Sequence, residues 1–506
     1  MPDSEVNVLT YHHNNARTGE YLSETLLTPA NVNTDNFGKI GFLRVRDLVD
    51  AQPLYVAKLV IQGLPHKVVF VATEHDLVYA FDADTFSPLW RTSVLGAGET
   101  TSDNRECQQV TPEIGITATP VIDLQIGPHG AIYVVAMSKD GRGRYFQRLH
   151  ALDLTTGSEL PGSPRTITAT FPGTGTGSQG GRVVFDPKQY EDRAALLISK
   201  GVIYTTWSSH CDHEPYGSWV IAYDASTLQQ ASAIDLTPNG TAGAIWMTGD
   251  GPAADDAGNT YLLTGNGTFD TSLDTKGFPS RGDFGNAFVK LTMRGGRLTV
   301  ADYFTMHNTV QESERDEDIG SGGIVLLPDM RDASGRMRHL AAGAGKDRIV
   351  YIVDRDSMGK FDASGDKAYQ EATGLIGGME FATPAYFNGA LYFGAYGDVL
   401  RAFPFANGLV ARSAASQTKT RFDYPGTTPS VSANGVSNGI VWTVENSIPA
   451  ALHAYAASDL KTELYTSNQA GTRDQFVNNK FILPMIAEGR VYVGTPTGVA
   501  VFGLLK

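Results

Sequence analysis

The polar breaks between paired apolar runs of this chain carry Glu74, His75, Asp76, Lys139, His210, Asp212, Asn266, Lys346, Asp347 and Glu445, while Glu113 and Lys480 stand at the starts of neighbouring runs. Carboxylates and imidazoles move protons near neutral pH, and a lysine steadies a developing negative charge. His75 and His210, with the carboxylates near them, are therefore candidate acid–base groups for a lyase or hydrolase that works with a metal or without one. Cys211 stands between His210, Asp212 and His213; these are zinc-ligand types, but a run this compressed is ill suited to wrapping one ion. Asp316 and Asp318 belong to QESERDED (311–318), whose charge density also suits a solvated loop.

What could bring such distant residues together is a repeat. VVFVATEHDLVYAFDAD (68–84), HLAAGAGKDRIVYIVD (339–354), IVWTVENSIPAALHAYAASD (440–459) and VYVGTPTGVAVFGLL (491–505) share one plan: an apolar run, a polar or glycine-bearing break, a second apolar run, then a turn. The plan recurs eight times. A unit of roughly 50 to 60 residues built only of strands buries its two faces only by stacking on its neighbours around an axis. The expectation is an all-β fold, an eight-bladed propeller of four-stranded antiparallel blades, as one domain over residues 1–506. Blades are predicted to begin near residues 51, 117, 182, 244, 320, 380, 427 and 478. The last unit supplies only three strands, so KIGFLRVRD (39–47) is predicted to pair with it and close the ring. Residues 1–38 then lie over the outside, with His12 and His13 at the surface. In such a ring the breaks face the axis on one side of the disc, which would gather Glu74, His75, His210, Asn266, Lys346 and Glu445 into one cavity.

Composition narrows the partners. A net charge of −14 leaves no basic footprint for nucleic acid, and no run approaches the 18 apolar residues of a membrane span. MPDSEVNVLT has neither the basic start nor the apolar core of a leader peptide. The expectation is a secreted or periplasmic protein read without its leader, with a cytosolic one as the alternative. Cys107 and Cys211 are free to pair or not on sequence grounds.

VYAFDADTFSPLW (78–90) and LHALDLTTG (149–157) resemble the repeat of pyrroloquinoline quinone (PQQ) enzymes, a repeat shared with assembly-factor propellers that bind no cofactor. A narrower resemblance, to the quinoprotein methanol and ethanol dehydrogenases, covers about 210–357. AGAIW (242–246) is similar to the segment that carries a tryptophan under the quinone ring, and TGN (264–266) to the one that offers an asparagine to calcium. GKDRIVYIVDRDSMGK (345–360) is similar to the segment whose cation touches the quinone carbonyl, and Asp318 lies 28 residues before Lys346. The resemblance thus implies Trp246 as a stacking wall and Asn266 as a metal ligand joined by Asp212 or Glu214, with His213 competing. It implies Asp318 as the base, with Asp316 as its rival, and Lys346 as the cation. Glu74 and Glu113 are further expected cofactor contacts. Two features depart from the family: its adjacent cysteine pair is absent, and the region 210–224 differs where a calcium-ligating glutamate would stand. No C-x-x-C-H occurs, so no attached c-type haem is expected and electrons would leave to an external acceptor.

The leading expectation is a PQQ- and calcium-dependent oxidoreductase acting on an alcohol or sugar. A cofactor-free propeller that binds a protein or glycan, and the lyase or hydrolase above, stand beside it.

Overall fold

A computed structural model describes residues 6–506. The chain is a closed ring of eight blades. The first blade contains Leu54–Ile61, Leu64–Thr73, Leu77–Asp82 and Pro88–Ser93, and the innermost strands of the next six begin at Val121, Leu197, Ala253, Ile324, Ala385 and Ser430. The eighth blade runs Met485–Ala487, Arg490–Thr495 and Gly498–Leu504, and its outer strand is Phe37–Arg44, antiparallel to Gly498–Leu504. Ring closure by an N-terminal strand therefore holds. The third blade starts later than its predicted position near 182, because Arg182–Val184 pairs instead with Thr170–Pro172 in a separate hairpin.

Strands in the middle of a blade, such as Leu77–Asp82 and Ala451–Ala456, are buried along their whole length. A blade is covered on both faces by its neighbours, so its strands read as near-continuous apolar runs rather than as an alternation. Tyr133, Val135 and Leu149 of the second blade share one core cluster with Ile203, Trp219 and Ile221 of the third.

The repeat's signature residues have a local cause. Asp153 Oδ1 accepts from the backbone and hydroxyls of Thr155 and Thr156, and Asp224 Oδ1 does the same with Ser226 and Thr227. These turns close the outer hairpins. Gly157 follows at φ 68°, and a Cβ there would lie 2.6 Å from the Trp90 ring of the preceding blade. Trp90 in turn donates from Nε1 to Leu154 O at 2.9 Å. The glycine and the tryptophan of the motif are thus one contact between blades.

Contrary to the expectation for residues 1–38, residues 8–21 do not lie over the outside, while 1–5 fall outside the described residues. This segment passes once round the axis against the innermost strands, in blade order. Val8 exchanges hydrogen bonds with Tyr55, and Leu9 O accepts from Ile122 N. Asn15 donates to Ile198 O and its own carbonyl accepts from Ala254 N. Ala16 O, Thr18 O and Gly19 O accept from Leu326, Tyr386 and Val431, and Glu488 N donates to the Tyr21 hydroxyl. The inner strand of each blade has an edge facing the axis, and this segment satisfies those edges as a plug. His12 is fully buried, its ring between Arg17 O and Pro429 O, with Gly19 at φ 74° making room for it. Burial pushes the His12 and His13 imidazoles down to about 4 and about 3. They are interior residues, not a surface cap.

Candidate functional site

On one face of the ring, the segments leading into blades 2 to 8 converge on an axial cavity of about 150 Å³. Trp246, Phe381, Tyr424 and Phe481 give it aromatic walls, and Gln109, Arg193, Asp212, Thr248, Asp318 and Ser321 its polar groups. Cys211 also lines it and is disulfide-bonded to Cys107, with the Cα atoms 5.5 Å apart. That bond ties the segment leading into the second blade to the break of the third. The plug forms the adjoining axial layer: Tyr11 packs with Ala195 and Leu483, two residues beyond Arg193 and Phe481, and bonds Thr383, two beyond Phe381. Beneath Thr248, the fully buried Arg17 lies 3.8 Å from the fully buried Asp250.

Asp318 is 2 % exposed and faces the cavity. Lys346 Nζ lies 2.8 Å from Asp318 Oδ1 and also bonds the exposed Asp316. Burial raises the Asp318 carboxyl above its ordinary value, and the Lys346 charge limits that rise. Burial works against the Lys346 ammonium, but Asp318 and Asp316 outweigh it and hold its pKa above the usual lysine range. Asn266 donates from Nδ2 to Asp316 Oδ1 at 2.5 Å, while its own Oδ1 is buried with no partner among the described residues. Gly265 is the meeting point: a Cβ there would lie 3.4 Å from Asp318 Oδ2 and 3.5 Å from Trp246 Cδ1. Trp246, Asn266, Asp318 and Lys346 are therefore neighbours, although 100 residues separate the first from the last.

The other expected residues are distributed differently. Asp212 lines the cavity, accepting from Ser209 Oγ at 3.1 Å and the Tyr216 hydroxyl at 2.8 Å. Glu214 is exposed and accepts from Thr241 Oγ1 at 3.0 Å, outside the cavity lining. His210 is 3 % exposed, has no hydrogen bond on either ring nitrogen among the described residues, and sits with Nδ1 3.5 Å from Glu191 Oε2. Glu74 is fully buried and anchors the segment leading into blade 2, accepting from Gly115 N and Thr117 Oγ1. His75 pairs with Glu113, and Glu445 with His453 at 3.1 Å. So Glu74, His75, His210, Asn266, Lys346 and Glu445 do not together line the axial cavity as predicted. A polar group at a break turns toward adjacent loops, which take up its hydrogen bonds. The side chains that reach the axis come mainly from the segments that precede the inner strands.

Those segments carry a signal that the break-centred reading overlooks. Pro53, Pro120, Pro252, Pro384, Pro429 and Pro484 each stand at or just before an innermost strand. Proline suits that position because the first residue of a strand needs no paired N–H. Phe381, Tyr424 and Phe481 lie three to five residues before such prolines.

No protein-family model matches the chain, and no curated protein matches it. Solved structures do. A quinohemoprotein alcohol dehydrogenase from Comamonas testosteroni aligns with 99 % of this chain and 80 % of its own, with a TM-score of 0.63 and 14 % identity. A europium-containing methanol dehydrogenase aligns over 99 % of this chain and 98 % of its own, with a TM-score of 0.58 and 12 % identity. A computationally designed protein, Ika8, aligns over 92 % of this chain and 99 % of its own at a TM-score of 0.50 and 10 % identity. At such identities the shared property is the propeller fold.

Proposed function

We propose that the chain is a quinone-dependent oxidoreductase that oxidises an alcohol or sugar hydroxyl in the axial cavity. The observation that carries this reading is the contact of Trp246, Asp318 and the Asn266 turn around Gly265. The residues present fit a quinone and its metal. Trp246 would be one wall, and the hard oxygens of Asn266 Oδ1 and Asp212 would hold calcium, leaving Asp318 free as the base. Orphaned Asn266 Oδ1 is the donor that such an ion would satisfy. Glu214 does not belong to the set. When bound, the quinone would supply the acceptor for the hydride leaving the carbinol carbon, with the ion polarising its carbonyl.

The chain's own residues supply the rest. An Asp318 oxygen takes the hydroxyl proton as the C–H bond breaks, and its burial makes it a stronger base than a solvated carboxylate. Lys346 favours the ionised form of Asp318 and orients it. Phe381, Tyr424 and Phe481 exclude water above the reacting atoms. The Cys107–Cys211 bond supports an oxidising, exported location. The aligned alcohol and methanol dehydrogenases support the alcohol class, and the europium protein makes a lanthanide the second ion to test.

The test is to add PQQ with calcium, then with europium, to the purified protein and record the absorption spectrum and Tm. Binding at 100 times Kd adds about 2.7 kcal/mol of stability. Trp246→Ala is expected to weaken that binding. Asp318→Asn is expected to abolish dye-linked alcohol oxidation, because the variant lacks the base. A wild-type protein with no quinone-dependent change in either signal overturns the reading. A cofactor-free ligand-binding propeller would then take its place, a reading favoured by the small cavity of about 150 Å³ against the ~300–1,000 Å³ usual for cofactor-sized ligands.

A further inference from the structure

A second cluster lies on the ring outside the lining of the axial cavity. Asp47 stands in the turn between the closing strand Phe37–Arg44 and the first blade, His75 in the break of the first blade, and Glu113 in the segment leading into the second. One ligand atom of each lies within 4.8 Å of the others, and all three residues are half-buried. We propose that Asp47, His75 and Glu113 form a metal site for a divalent ion of the zinc class, independent of the quinone reading.

The donor set is one imidazole nitrogen and two carboxylate oxygens. Imidazole selects against calcium and magnesium and suits zinc, which binds nitrogen and carboxylate oxygen at about 2.0–2.2 Å and completes its shell with water. The half-exposed face leaves room for that water. Thr101 donates its hydroxyl to Glu113 Oε2, which orients the carboxylate as an outer-shell partner does at metal sites.

The ligands are already held at metal-binding spacing: His75 Nδ1 lies 2.5 Å from Glu113 Oε1, with Asp47 beside them. An independent observation points the same way. Asp76 is fully buried, neither of its oxygens has a partner among the described residues, and Glu113 is the strongest of the charges acting on it. Arg148 is the positive charge that acts on it in return, and Arg148 is already paired with Glu99 at 2.6 Å.

An ion here would pin the end of the closing strand to blades 1 and 2, so binding must register as stability of the ring. Chelator-treated protein, free of quinone, is titrated with zinc chloride alone while heat and Tm are recorded. The expected result is a single saturable site with a rise in Tm. His75→Ala and Asp47→Asn are each expected to weaken binding roughly tenfold or more while keeping the circular dichroism spectrum of the chelated wild type. If His75→Ala does not fold, Asp47→Asn carries the comparison. Asp318→Asn is expected to bind zinc as the wild type does, which separates this site from the axial cavity. The proposal is overturned if zinc leaves the wild-type Tm unchanged, if the Tm rise survives in Asp47→Asn, or if equimolar calcium displaces the zinc.

Discussion

Lys346 Nζ and Asp318 Oδ1 lie 2.8 Å apart, and of the two it is Asp318 that lines the axial cavity. The lysine thus acts on the cavity through the aspartate, with Asp316 and Asn266 completing the chain of contacts on the outer side. This arrangement separates the proposed base from the charge beside it.

Lys346→Met removes the charge that limits the rise of the Asp318 carboxyl. The acid limb of the kcat/KM profile for dye-linked alcohol oxidation is therefore expected to move to higher pH, and Lys346→Arg to leave it near the wild-type position. A profile in which the methionine variant loses rate equally at every pH would refute the tuning role.

Removing Arg17 leaves Asp250 buried beneath the cavity without its cation. Arg17→Ala is expected to cost about 3–5 kcal/mol, the usual result of breaking a buried pair from one side. Adding Asp250→Asn should return part of that loss, since the orphaned charge goes with it. Urea denaturation of the two variants reads both numbers.

Burial raises Asp250, Glu312 and Glu20 to about 7. Each binds its proton more tightly in the folded chain, so its stabilising effect is complete below the unfolded value near 4 and is lost as pH rises through about 7. His12 and His13, lowered by burial, oppose this only below about 6.5, where the unfolded imidazoles take up protons. Above that value the acids act unopposed. Calorimetry at constant ionic strength should find the protein less stable at pH 8 than at pH 6.5, by on the order of 1–2 kcal/mol.

The Cys107–Cys211 bond spans 104 residues of sequence. Cys107→Ser is expected to lower stability by about 2–4 kcal/mol through the greater freedom of the unfolded chain. It should also loosen the cavity wall that Cys211 forms, read as weaker quinone binding at a temperature where the variant is still folded. Stability equal to the wild type's in guanidinium titration would count against the first part.

The repeat was legible because it is enforced locally. A blade covered on both faces needs unbroken apolar strands, and an Asp–Thr turn or a Gly157–Trp90 contact needs only near neighbours in sequence or in the next blade. Eight blades and a closing strand follow from those patterns and from the arithmetic of unpaired edges. The grouping of Trp246, Asn266, Asp318 and Lys346 was legible through the order and spacing of a family resemblance rather than from the repeat, since two precede inner strands and two stand in breaks; the structure brings them together around Gly265.

What only the tertiary structure decided is where a side chain turns once its strand ends. His75, Glu74 and Glu445 share with Lys346 a place in the repeat, yet they face Glu113, Gly115 and His453. Their partners are supplied by other loops, and no local pattern reports which loop lies within reach. The N-terminal segment is the clearest case. YHHNNARTG (11–19) reads as a polar surface stretch, but a ring of inner strand edges and the buried Asp250 offered its backbone and Arg17 more partners than the outer surface could. Satisfying those edges, a requirement that exists only after the ring has closed, drew the segment onto the axis.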